Sequence, residues 1–425
     1  MDKITIFKNF HIIDEETDMF GTVIARNRVI EEIFSESPSD FGKFEADEMI
    51  DGKNWLPLMP AFADMHAHFR DPGFPEKETL ESACLAAHTG GYGVVVCMAN
   101  TKPVIDTIEA ANALKRRADA LGLIDLYPAV SLTHNMEGKA LSAVLQRADS
   151  PVKTASQLPI LLSEDGKDIA DDVLFLSALK AAARLNITVS CHCDAGGAKA
   201  AEAKKAGLSR TVWSRIEENV AVKRAIRLGR EADCRLHIAH VSTKESVEMV
   251  RHAKRDFPSF RITCEVTPHH IALTETDAEK LGDESFGRVN PPLRTEADRL
   301  ALIEGIIDGT VDAIATDHAP HTSADKAEGA PGFSGLETAF AVCYTELVKK
   351  GDISLQKLSS LMSVSPCRIL GLKKRGLIKD GFCADFAIVD TEAEWVVHSE
   401  SFKSRGKNSA FEGKRLFSRI IKRKL

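Results

Sequence analysis

The sequence predicts an α/β protein, a (β/α)8 TIM-like barrel with a small β-sandwich domain built from both termini. Three observations carry this expectation. Eight short apolar, β-branched runs recur through the middle of the chain. Ala-, Leu-, Lys- and Glu-rich stretches with helical spacing separate them, and polar residues gather at the C-terminal end of nearly every run. A barrel brings those ends to one mouth, whereas a doubly wound open sheet would spread them along an edge.

In chain order, residues 1–57 come first. Stretches such as "IFKNFHIIDEETDMFGTVIARNRVIEEI" alternate and turn without helical periodicity, as half of a terminal sheet domain would. The barrel is expected over 58–375. Its strands are "LMPAFADMH" (58–66), "GVVVCMANT" (93–101), "DLYPAVSLT" (125–133) and "PILLSEDG" (159–166). They continue with "ITVSCHC" (187–193), "RLHIAHVS" (235–242), "RITCEVTPHH" (261–270) and "VDAIATDHA" (311–319). Between them, "DVLFLSALKAAARLN" and "ADRLALIEGIIDGT" space their apolar residues as amphipathic helices do. Residues 376–425 return to alternation in "LIKDGFCADFAIVDTEAEWVVHSESF" and complete the terminal domain.

The totals bound what such a chain can do. Its 425 residues, 44% hydrophobic and 28% charged, suffice for one large domain and a smaller one. A formal charge of −7 argues against nucleic acid as the main partner. The segment 401–425, with nine Lys or Arg against one Glu, reads as a solvated edge. "MDKITIFKNFHII" lacks the apolar core of a signal peptide, and no run is long enough for a membrane span. Nine scattered cysteines without Cys-x-x-Cys read as reduced thiols of a cytoplasmic protein.

Chemistry concentrates at the strand ends. In "ADMHAHFRDPG", from Ala63 to Gly73, residues two apart on a strand share a face, so His66 and His68 project together. Asp64 and Arg70 have the same parity, although a strand ending near His68 need not carry that phase to the arginine. The fourth run ends with Asp165, the fifth with His192, the sixth with His240 and the eighth with Asp317. A single histidine is more often a satisfied polar residue than a ligand; four at matching strand ends are a different matter. Four imidazoles and two carboxylates suit N/O-binding divalent ions, Zn2+ first. They are too many for one open catalytic zinc, and enough for two ions about 3.5–4 Å apart with a shared carboxylate. Cys191 and Cys193 flank His192 with opposite parity and read as packing. Residues 322–335, rich in Ser, Ala, Gly and Pro, read as a mobile loop over the mouth.

These motifs together resemble the amidohydrolase superfamily, and within it the bacterial type I dihydroorotases. "DMHAHFRDPG" is similar to the family's metal-binding opening, "MANTKP" to its second-strand signature and "SEDG" to its fourth-strand turn. "HIAHVS", "VTPHH", "VNPPLR", "ATDHAPH" and "APGFSGLE" resemble later blocks, and "GLIKDGFCADFAIVD" and "SRGKNSAFEG" its C-terminal segments. Departures are Ala61, Ala63, Ala99, Glu164, Ala410, "HCDAG" after the fifth run and a shortish loop over 322–331. None removes a presumptive ligand.

The resemblance implies reversible hydrolysis of (S)-dihydroorotate to N-carbamoyl-L-aspartate, the ring closure of pyrimidine synthesis, by a zinc-activated hydroxide. It implies two zinc ions on His66, His68, Asp165, His192, His240 and Asp317, with Asp317 as general base and acid. Asp165 would bridge the ions where many relatives use a carboxylated lysine, since Lys167 falls beyond the Asp-Gly turn. Arg70, Asn100 and His321 would grip the substrate carboxylate. Asn290 and the backbone around Pro331 and Gly332 would hold the ring's amide edges. His269 and His270 are left as supporting or structural. A homodimer and an association with aspartate transcarbamoylase are further expectations. The rival readings are a dihydropyrimidinase or allantoinase, whose substrates lack the ring carboxylate, and a non-catalytic partner of the transcarbamoylase.

Overall fold

The computed structural model describes residues 3–36, 44–148, 158–194, 198–281 and 287–424. The terminal strands are β1 (Ile4–Ile13), β2 (Asp18–Arg26), β3 (Val29–Phe34), β4 (Glu48–Asp51) and β5 (Pro57–Pro60). Eight more follow through the middle of the chain. They are β6 (Phe62–Ala67), β7 (Tyr92–Cys97), β8 (Asp125–Pro128), β9 (Leu161–Ser163), β10 (Thr188–Cys191), β11 (Arg235–Ile238), β12 (Ile262–Val266) and β13 (Ala313–Ile314). β14 (Phe386–Val396) and β15 (Arg415–Lys424) close the chain.

The architecture is α/β. β6, β7 and β8 pair in parallel, as do β9 through β13. Isolated parallel bridges join Val130 to Leu162 and Ala67 to His318, so the pairing that starts at β6 returns to it. Helices connect these strands as their spacing predicts. The helix Asp172–Leu185 starts at Asp171, whose carboxylate accepts from the Val173 and Leu174 amides, and stops at Asn186 with φ 54°. The helix Glu296–Asp308 opens with a reciprocal Thr295/Asp298 capping box and ends at Gly309, φ 82°. Their apolar faces pack on the buried strands, whose side chains are covered from both sides.

The terminal strands form one seven-stranded sheet in the order β15-β14-β5-β1-β2-β3, with β4 on β1. Where a sandwich was expected, the described strands are continuous by pairing, because β5 joins β1 on one side and β14 on the other. This also divides the first expected run. Residues 58–66 are two strands in two sheets, with the switch at Ala61, whose amide donates to the Asp385 carbonyl at 2.8 Å. Both pieces are buried, and the residues on either side of Ala61 are apolar, so nothing in their pattern marks the break. Phe7, Phe10 and Phe386 fill the core of the terminal sheet.

Candidate active site

The polar residues named from the strand ends converge on one cleft. It is lined by His68, Arg70, Asn100, Asp165, His192, His240, Asn290, Asp317, His321, Pro331 and Gly332. Of the six ligand candidates, His66 alone lies outside the lining, and it is 1% exposed. Each ligand candidate stands at or just past the end of its strand, where the backbone leaves the ladder and turns. His240 and Asp317 make that turn with φ 32° and 47°, in the sparsely populated left-handed region. Arg70 reaches the cleft the same way, at φ 57°, and not by strand alternation.

Asp165 is the hub. Its Oδ1 lies 3.1 Å from His66 Nε2, 3.3 Å from His192 Nδ1 and 3.8 Å from His240 Nε2, and its Oδ2 lies 3.4 Å from His68 Nε2. Asp317 Oδ1 is 3.3 Å from His68 Nε2 and 3.8 Å from His66 Nε2. Two groups with donor atoms close enough to share an ion result, His66–His68–Asp165 and Asp165–His192–His240, with the aspartate common to both. Both ring nitrogens of His66 and Oδ1 of Asp165 are buried without a hydrogen bond of acceptable geometry. Buried polar atoms are rarely left so. Imidazole and carboxylate donors in this number fit divalent metal ions such as Zn2+.

The electrostatics favour positive charge on His66 and His192, whereas burial holds His68 below its ordinary value. Burial alone would depress His66 and His192, but the Asp165 carboxylate outweighs it, raising His66 well above its ordinary range and His192 to about 10. Burial opposes the charge on Asp165 and Asp317 in turn. The histidines around them outweigh it and hold both carboxyls below the usual range.

Sequence reasoning missed Glu265. This carboxylate is fully buried on β12, 3.4 Å from His66 Nδ1 and 3.1 Å from His237 Nε2. The carboxylate faces Nδ1 as an ion pair, not a hydrogen bond, and leaves Nε2 of His66 facing Asp165, on the side where a carboxylate can orient a ligating imidazole. Its signal was a lone Glu inside the apolar run "ITCEV". Asp64 is also structural support. It accepts from the Thr316 amide at 3.0 Å and hydroxyl at 2.5 Å, tying β6 to the segment bearing Asp317.

On the opposite wall, Arg70 Nη2 lies 3.2 Å from His321 Nε2, and Arg70 Nε donates to the Pro320 carbonyl at 3.3 Å. His321 Nε2 is 2.9 Å from the Pro331 carbonyl oxygen. Burial, and then the Arg70 charge, push His321 down to about 3. Asn100 stands between the walls, its Oδ1 3.0 Å from His68 Nδ1 and its Nδ2 donating to Asp165 Oδ2 at 3.3 Å. The Asn290 amide donates to Asp194 at 3.1 Å and lies 3.4 Å from His192 Nε2. His270 is taken up by Thr267 and the Pro291 carbonyl, and His269 packs on Phe333. Cys191 and Cys193 are buried and belong to neither ligand group. Of the two lysines that could stand in for Asp165 as a carboxylated bridge, Lys167 turns away to the Met136 carbonyl, and Lys153 lies outside the described residues.

The amidohydrolase family profile matches residues 58–415. A dihydroorotase from Clostridium botulinum (strain Eklund 17B / Type B) is 38% identical over 418 residues, 98% of this chain and 96% of that protein. One from Bacillus cytotoxicus is 37% identical over 420 residues, 96% of this chain and 94% of that protein. Among solved structures, an L-hydantoinase (dihydropyrimidinase) from Arthrobacter aurescens superposes with a TM-score of 0.85 at 24% identity. That match covers 99% of this chain and 94% of the other. A dihydropyrimidinase from Brevibacillus agri NCHU1002 gives 0.82 at 21% identity, covering 99% and 93%. The two structures share the fold. The chain belongs to the amidohydrolase family.

Proposed function

We propose that the chain is a dihydroorotase, which reversibly hydrolyses (S)-dihydroorotate to N-carbamoyl-L-aspartate. The full-length similarity to dihydroorotases supports the reaction, and the two ligand groups sharing Asp165 are the observation that carries the chemistry. On this reading the parallel strands form a (β/α)8 barrel with the cleft at its mouth, and the terminal sheet is a separate domain.

His66, His68, Asp165, His192, His240 and Asp317 would hold two zinc ions. Bound there, such ions polarise an amide carbonyl and lower the pKa of a water. The chain's own groups do the rest. Asp317, kept ionised by the histidines around it, takes a proton from the attacking water and returns it to the leaving ring nitrogen. Arg70, Asn100 and His321 surround the substrate carboxylate, to which a guanidinium presents a planar fork. Asn290 and the Pro331–Gly332 backbone hold the ring's amide edges. Ring closure turns a dianion into a monoanion and consumes a proton, so low pH favours dihydroorotate at equilibrium.

A dihydropyrimidinase is the second reading, favoured by the fold neighbours. It would leave Arg70 facing no anion. The test is the zinc-loaded protein with either ring, followed by loss of ultraviolet absorbance. Rapid opening of dihydroorotate with poor opening of dihydrouracil supports the proposal; equal rates would put the dihydropyrimidinase first.

A further inference from the structure

We infer that Lys326, which does not line the cleft, is a positioning residue that sets the spacing of the two loops gripping the substrate ring. The inference deepens the proposed function and rests on that reading for the ring's place in the cleft.

Lys326 lies in the helix Ser323–Ala327, within the stretch whose composition suggested a loose loop, and is 2% exposed. A lysine is seldom buried so fully, because its ammonium must replace the water it loses. The replacement comes from two loops. Nζ reaches the Ala330 carbonyl at 2.9 Å and the Gly332 carbonyl at 2.8 Å on one, and the Arg288 carbonyl at 3.3 Å on the other. An ammonium has three N–H bonds to offer, so one side chain can clip both loops. The Arg288 carbonyl also accepts from the Gly332 amide at 2.9 Å, closing the same junction.

Both clipped segments lead directly into the cleft. Arg288 precedes Asn290 by two residues, and Pro331 lies between the clipped carbonyls and accepts from His321. Gly332 sits at φ 112° against Ala319, where an added Cβ would come within 2.5 Å of the alanine Cβ, so this approach has little slack. The helix that delivers Lys326 is itself anchored. Thr322 and Asp325 form a capping box at its start, and Asp325 pairs with Lys77 at 3.0 Å. The ammonium therefore enters from a fixed point and holds Asn290 and the Pro331–Gly332 backbone at a set separation.

A clip of this kind acts on ring binding in the ground and transition states alike, so its loss should appear in KM and spare kcat. The experiment uses full-length, zinc-loaded Lys326→Met and Lys326→Gln. With three carbonyls deprived of a charged donor, Lys326→Met should raise KM for dihydroorotate roughly tenfold or more. Lys326→Gln, which keeps an N–H donor, should raise it less. In both, kcat and zinc content stay near wild type, and hydrogen exchange at the Ala330 and Gly332 amides accelerates. The rise in KM should be matched with dihydrouracil, whose amide edges are the same. If wild-type protein opens only dihydrouracil, the dihydroorotase reading fails and the comparison is made with that ring. If it opens neither, hydrogen exchange decides. A wild-type KM in Lys326→Gln, a loss confined to kcat, or unchanged exchange overturns the inference, even if Lys326→Met fails to fold.

Discussion

On one wall of the cleft, both nitrogens of His66 and one oxygen of Asp165 are buried without a hydrogen bond. On the other, Arg70, His321 Nε2 and Asn290 are engaged by Pro320, Pro331 and Asp194, and of these three side chains His321 Nδ1 is left buried without a hydrogen bond. A buried polar atom without a partner costs about 1–3 kcal/mol. The first wall thus concentrates unpartnered donors and acceptors, whereas the second is mostly arranged in advance by the polypeptide. Changes to the first wall should abolish occupancy or chemistry, and changes to the second should alter selectivity by smaller factors.

The largest effects test the first wall. Asp165→Ala should lose at least one zinc and most activity, and metal analysis showing unchanged stoichiometry would remove Asp165 from the bridge. Asp317→Asn should keep the fold and the far-ultraviolet spectrum while kcat falls by about 10³-fold or more. Near-wild-type turnover in that variant would place the proton carrier elsewhere.

The second wall should respond less. A charge-assisted bond to a carboxylate is worth about 1.5–3 kcal/mol, so Arg70→Met should lower kcat/KM for dihydroorotate roughly ten- to a hundredfold. Hydrolysis of dihydrouracil should change little in the same variant; an equal fall with both rings would erase the distinction between the walls. Glu265→Gln returns to the first wall from behind. Removing the charge that faces His66 Nδ1 at 3.4 Å should cost about tenfold in zinc affinity, measured by competition with a chelator.

The smallest effect is one of pH. Burial and Arg70 lower His321 from its ordinary value near 6.5 to about 3. Between those values the unfolded chain takes up a proton that the folded chain refuses. Stability from this group is thus full above about 6.5 and declines as pH falls toward about 3. Arg70→Met removes the largest cause after burial, ahead of the Lys77 and Lys326 charges, so the ring should titrate higher and the acid loss should shrink. Ring proton shifts and urea midpoints at neutral and mildly acidic pH report the two changes, and an unmoved His321 titration would mean that Arg70 does not act on it.

Much of this was legible before any coordinates. Strand period and residue type are local properties, so the run ending in His66 and His68 and those leading to Asp165, His192, His240 and Asp317 could be found one at a time. The helical spacing of "DVLFLSALKAAARLN" and "ADRLALIEGIIDGT" was equally local. Other features depend on which distant segments meet. The run 58–66 changes sheets because β5 finds β1 and β14, residues far away in sequence. Glu265 gains its meaning from His66 and His237, and Lys326 from the Arg288 and Gly332 carbonyls. By itself the sequence determined the donor atoms and the strand ends that carry them, because composition and spacing persist in any extended chain. Tertiary structure alone decided which nitrogen faces which oxygen and which charges lose their water, because those are properties of contacts between residues tens to hundreds of positions apart.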